Sequence, residues 1–98
     1  MLTFKEAKEK MKKYLSSMED DTSDEKIDIV IVDDLTIEED FGWVFFYNSK
    51  EFIETGNLSY ALVGNAPVII NKYDGTLHET GTASQIGHYI EEYKKRNL

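Results

Sequence analysis

A chain of 98 residues with a formal net charge of −8 and no cysteine is long enough to form one domain, residues 1–98, with its own core. The missing thiols exclude a disulfide framework and a thiolate metal site, and no apolar run approaches the ~20 residues that a bilayer-spanning helix needs. The charge is unevenly laid out: residues 1–18 carry five lysines against two glutamates, residues 19–40 carry eleven acids against one lysine, and residues 41–98 nearly balance. A dominant negative field disfavours phosphate binding, so nucleic acid is not an expected partner. The acidic block suits either plain solubility or the attraction of a basic partner.

The opening stretch, MLTFKEAKEKMKK, interleaves charged and apolar residues and has no uninterrupted apolar core, so a secretory signal is not expected and the cytoplasm is. Phe4, Ala7, Met11, Tyr14, Leu15 and Met18 recur at helical spacing and predict an amphipathic helix over 3–18 with an apolar stripe facing the core. Thr3 with Glu6 three residues on is a capping-box pattern, which satisfies two otherwise orphaned backbone donors. Residues 19–25, EDDTSDE, read as a solvated linker. They lack the central glycine and ligand spacing of a calcium loop.

Residues 26–34 predict a first strand that is apolar on both faces at its middle, and residues 33–40 a wide turn or its prolongation, anchored by Leu35 and Ile37. GWVFFYN, 42–48, predicts a second strand with Trp43, Phe45 and Tyr47 on one face and Val44 and Phe46 on the other. Ser49 is placed to cap a short helical turn, KEFIET, that Gly56 ends. Residues 57–63 are ambiguous between a strand and an irregular segment. The Gly64-Asn65-Ala66-Pro67 turn opens a third strand at Val68–Ile70, and Tyr73-Asp74-Gly75-Thr76 is a hairpin signal into a fourth at 76–80. Thr82 with Gln85 repeats the capping-box pattern before a C-terminal helix with Ile86, Tyr89, Ile90 and Tyr93 on its apolar face. Short links between successive strands predict antiparallel pairing. The expected fold is α+β: a two-layer sandwich in which a four-stranded, mainly antiparallel sheet is covered on one face by the N-terminal and C-terminal helices.

No catalytic constellation emerges from these residues. His78 and His88 sit on different predicted elements and read as surface or half-buried polar residues, not as a metal pair. Ser49, Ser59 and Ser84 read as cap or turn residues without a neighbouring base. Asp33, Asp34, Glu38, Glu39 and Asp40 are paired carboxylates in what reads as solvent, and without desolvation nothing separates their pKa values for acid–base work. No GxxxxGK phosphate loop occurs. An enzyme is therefore not expected, and neither a cofactor nor a metal is implied.

The run GWVFFYNSKEFIETGNLSYALVGNAPVIINKYDGTLHETGTA, followed by an IxxYIEEY helix, resembles the immunity protein 35 family, also called YrhB-like. The resemblance rests on the Trp43 strand, the Gly64-Asn65-Ala66-Pro67 turn, the Asp74-Gly75 hairpin and the Gly81-Thr82-Ala83 entry to the last helix, taken in that order and spacing. It departs from the family expectation of His-Pro at Ser84-Gln85, so no role for a histidine there carries over. The resemblance implies a bacterial protein that binds a cognate polymorphic toxin, with no cofactor and no catalytic residue. Its alternative is a stand-alone chaperone-like or structural protein, including a homodimer formed through an exposed sheet face. The resemblance assigns no contact residues. Charge placement alone suggests that Asp33, Asp34, Glu38, Glu39 and Asp40, beside exposed aromatics such as Tyr47 and Tyr60, meet a basic toxin surface. The plainer reading of those acids is a solvated turn.

Overall fold

The computed structural model describes residues 1–18, 28–62 and 65–97. The expected acidic linker, the first residues of the expected first strand and Gly64 lie outside them. Helix α1 (Phe4–Met18) begins at the predicted capping box: the Thr3 N–H donates to Glu6 Oε1 at 3.1 Å and the Glu6 N–H to Thr3 Oγ1 at 3.2 Å. Its inward stripe is narrower than the sequence pattern suggests. Ala7, Met11 and Leu15 are buried, whereas Phe4 is exposed.

Strands β1 (Ile29–Ile31), β2 (Ile37–Glu39), β3 (Gly42–Phe45) and β4 (Tyr47–Ser49) follow, then α2 (Lys50–Thr55), β5 (Val68–Asn71), β6 (Leu77–Glu79) and α3 (Ile86–Asn97). The strands form a four-stranded antiparallel sheet in the order β2-β3-β5-β6 and a two-stranded antiparallel pair, β1-β4. Residues 33–40 are thus neither a plain wide turn nor an extension of β1. A 3-10 turn, Asp33–Leu35, leads into β2, which hairpins onto β3 with Glu39 opposite Gly42.

The expected strand 42–48 is divided at Phe46, where the chain changes partner. β3 pairs with β5 up to Phe45 opposite Val68, while Pro67 turns its backbone toward β6, its carbonyl accepting from the Thr80 N–H at 3.0 Å. Beyond that point the chain pairs with β1 instead, with Ile31 opposite Tyr47 and Ile29 opposite Ser49. The Asn65 side-chain amide gives its Nδ2–H to the Tyr47 carbonyl at 2.9 Å, holding the segment before β5 against β4.

The α+β class, the antiparallel sheet and the helices at both ends agree with expectation, but the helices do not share a face. Alternation along β3 sends Trp43 and Phe45 one way and Val44 the other. Trp43, Phe45, Val68 and Ile70 pack with Ala7, Met11 and Leu15 of α1, while Val44 and Ile69 pack with Phe41 and with Ile90 and Tyr93 of α3. The central strands are apolar on both sides, so each face needs its own cover. One helix on each side gives three layers where two were expected.

Local signals account for the connections. Ser49 Oγ accepts from the Phe52 N–H at 3.1 Å, capping α2, and donates to the Tyr60 carbonyl at 2.5 Å; Gly56 ends α2 at φ 70°. Ser49→Ala removes both bonds at a buried site, and we expect denaturant unfolding to register a loss of about 2 kcal/mol. In the β5–β6 connection, Asn71 Oδ1 accepts from the Tyr73 and Asp74 N–H groups, Gly75 takes φ 73°, and Asp74 Oδ1 accepts from the Thr76 N–H. These bonds from Thr76 also hold the Asp74 carboxyl below the usual range.

The second capping box does not form. α3 starts at Ile86, and the Tyr89 hydroxyl accepts from the Ala83 and Ser84 N–H groups at 3.0 and 3.1 Å, occupying the entry that Thr82 and Gln85 were expected to close. Gly81 makes this possible, since a Cβ there would lie 2.7 Å from that hydroxyl.

Candidate functional site

The five acids singled out in the sequence cluster along one edge of the larger sheet, but the pleat divides them. Asp33 and Asp34 lie on the 3-10 turn, Glu38 and Glu39 on the edge strand β2, and Asp40 in the β2–β3 turn. Glu38 is opposite Trp43 and so belongs to the α1 face; Glu39, one residue on, reaches the other face and pairs with Lys94 of α3 at 3.5 Å. Asp33 pairs with Lys8 of α1 at 2.7 Å. Asp34, Glu38 and Asp40 are exposed and have no ion-pair partner among the described residues. Of the five, these three therefore carry the charge that no lysine among the described residues compensates.

The two aromatics expected beside the acids separate. Tyr47 is only 4 % exposed and packs in the α1-side core, because β4 turns it toward Ile29, Ile31 and the helix. That corrects its expected place on the surface. Tyr60 is 48 % exposed, but it stands on a 3-10 turn, Leu58–Tyr60, packed against α2.

What sequence reasoning missed is a depression of about 490 Å³ bordered by Phe4, Asp33, Thr36, Glu38 and Trp43. The Phe4 ring meets Trp43 edge-on at 5.9 Å and stacks on Phe45 at 5.9 Å, so the first turn of α1 is held over the sheet by aromatic contact. The alternation within 37–39 and 42–45 was legible, but the register that sets Glu38 across from Trp43 depends on the length of a turn whose boundaries were open. Thr36 Oγ1, shielded from water, has no hydrogen-bond partner among the described residues.

Neither histidine joins a metal-binding group. His78 lies on β6 with its ring 5.5 Å from Tyr93, and His88 Nε2 lies 3.3 Å from Glu92 one turn on. Among the described residues no three His, Asp or Glu side chains are grouped to hold a metal. No helix among them is long and apolar enough to cross a membrane.

The tyrosines on the α1 face carry the clearest ionisation effects. Tyr14 donates to Glu79 Oε1 at 2.6 Å, tying α1 to β6. Burial, then this acceptor, pushes the Tyr14 pKa well above the ordinary tyrosine value, and burial with Glu79 nearby also raises that of Tyr47. Both groups hold their protons to higher pH folded than unfolded. Their stabilisation is intact below about pH 10 and is lost as the pH climbs from there toward the folded values. Unfolding free energy is accordingly expected to fall above about pH 10, and Tyr14→Phe to flatten that fall, as read from denaturant titrations across the alkaline range.

The model of one protein family, immunity protein 35, matches residues 5–95. The chain belongs to that family. The match takes in α1 after its first residue, every strand and most of α3, so the acidic edge and, Phe4 apart, the residues around the depression lie inside the immunity protein 35 region. A curated relative is an uncharacterized protein, YrhB, of Escherichia coli strain K12, with 43 % identity over 53 residues. That alignment covers 54 % of this chain and 56 % of the relative, so the chain spans little more than half of the length of the protein it matches. No solved structure matches the chain.

Proposed function

We propose that this immunity protein 35 chain binds a cognate protein toxin and neutralises it in the cytoplasm of the producing cell by steric and electrostatic blockade. No bond is made or broken in this mechanism, and no cofactor takes part. The observation that carries it is the exposed, unpaired charge of Asp34, Glu38 and Asp40 on a sheet edge inside the family region. Like charges crowded on an open edge repel one another and stabilise nothing within the fold, whereas a basic surface brought against them relieves that repulsion and is steered toward it. Asp33 and Glu39 extend the acidic margin, each already engaged by a lysine of its own helix face. Tyr60, half exposed, lies at a different part of the surface and would contribute only to a toxin large enough to reach both. Co-expression with the product of the neighbouring toxin-like reading frame tests the proposal. Growth is expected to be restored; killing that continues with every adjacent candidate defeats it.

A second reading, a chaperone-like protein, draws on exposed Ile53 and Leu58 beside Tyr60, an apolar surface around α2. Suppressed aggregation of unrelated unfolded clients, lost in Leu58→Ser, would favour it over the toxin partner.

A further inference from the structure

We propose that the depression between α1 and β2 is a socket for one arginine side chain of the partner. This rests on the reading of a basic toxin and names the group it inserts. Three features converge there. The Phe4 ring, 44 % exposed and stacked on Phe45 by one face, borders the depression with the largely buried Trp43 edge-on to it, and an aromatic face left open attracts a cation. Glu38, on the same face of β2 as Trp43, supplies a carboxylate with no ion-pair partner among the described residues. Asp33 supplies a second carboxylate whose side chain is 61 % exposed although one oxygen meets Lys8 at 2.7 Å.

The chemistry selects guanidinium over ammonium. A planar guanidinium stacks on an aromatic ring while its edge donates two parallel hydrogen bonds to a carboxylate; an ammonium does neither. Lys8 already provides the point charge that Asp33 accepts, so a second lysine would compete with it. Phosphate and other anions are repelled by the two carboxylates, and an uncharged apolar side chain would leave Glu38 unpaired and partly desolvated.

Trp43 is the only tryptophan, so its emission reports on the socket directly. The full chain is titrated with end-blocked hexapeptides of arginine, lysine or citrulline, the last matching arginine in shape without its charge. The arginine peptide is expected to shift the emission saturably, with the lysine peptide weaker and the citrulline peptide silent. Glu38→Gln should weaken the arginine peptide about tenfold, as loss of a charge-assisted pair implies. Glu51→Gln removes an equal exposed charge on α2, outside the socket, and should change affinity by less than about twofold. Phe4→Leu, which keeps an apolar side chain, should weaken binding by severalfold. Equal losses in Glu38→Gln and Glu51→Gln would overturn the proposal in favour of a diffuse field, as would equal affinity for the lysine peptide or an emission that never responds. Arginine binding without rescue from any toxin would sink the immunity reading and leave the socket standing, whereas full rescue by Glu38→Gln with no peptide response would sink the socket alone.

Discussion

Gly42→Ala is expected to lower the stability of the fold by about 4 kcal/mol or more, a large part of what a domain of this size possesses. Gly42 sits at φ 149°, a conformation L side chains rarely adopt, where β3 leaves the β2 hairpin. A Cβ there would lie 2.0 Å from the Ile70 carbonyl oxygen and 3.0 Å from the Lys72 nitrogen, both backbone atoms. No rotamer change relieves such a clash. The strands must part, and β3 and β5 are the central pair, holding Trp43, Val44 and Phe45 against Ile70, Ile69 and Val68. Gly56 is the natural comparison. It has φ 70° but open space around a would-be Cβ, so Gly56→Ala should cost only about 1 kcal/mol. Denaturant unfolding of the two variants side by side checks the contrast, and a Gly42→Ala loss within about 1 kcal/mol would refute the close pairing.

Phe45→Ala is expected to cost about 3–5 kcal/mol, the range for emptying a large aromatic site in a closed core. The side chain is fully buried among Met11, Leu15 and Val68, and Phe4 stacks on it from α1. Its loss should therefore reach the surface. With its support gone, Phe4 loses its fixed position beside Trp43, and whatever fraction stays folded should bind the arginine peptide more weakly. Ile69→Val, on the α3 side, removes a single methylene and should cost only about 1 kcal/mol without touching peptide binding. Thermal melts and the Trp43 titration, run on both variants, separate the two sides of the sheet.

The features readable from sequence are those decided within a few residues. Thr3 and Glu6 cap α1, Ser49 and Gly56 bound α2, and Asp74-Gly75 turns β5 into β6, because each depends on hydrogen bonds or φ values local to the motif. The features that were not readable depend on distant partners. Phe46 divides one apolar run into two strands because β5, far along the chain, pairs only as far as Phe45 and β1 takes up the residues beyond. Tyr47 is buried because β1 comes alongside it. Thr82 and Gln85 have the right spacing for a cap, but the helix starts at Ile86 and the Tyr89 hydroxyl holds the Ala83 and Ser84 N–H groups before it. The same distinction applies to the candidate site. Its acids were visible as composition, whereas the division of Glu38 from Glu39 and the pairing of Glu38 with Phe4 and Trp43 are products of strand register and of the helix lying on that face.

The most direct test is the rate at which the purified chain associates with its toxin, measured against ionic strength for the native chain and for a variant with Asp34→Asn, Glu38→Gln and Asp40→Asn combined. Blockade by an acidic edge predicts a one-to-one complex whose association slows by about tenfold or more from low to physiological salt, and a variant that associates slowly at every salt concentration. A complex whose association rate is indifferent to both salt and these three charges would contradict the account.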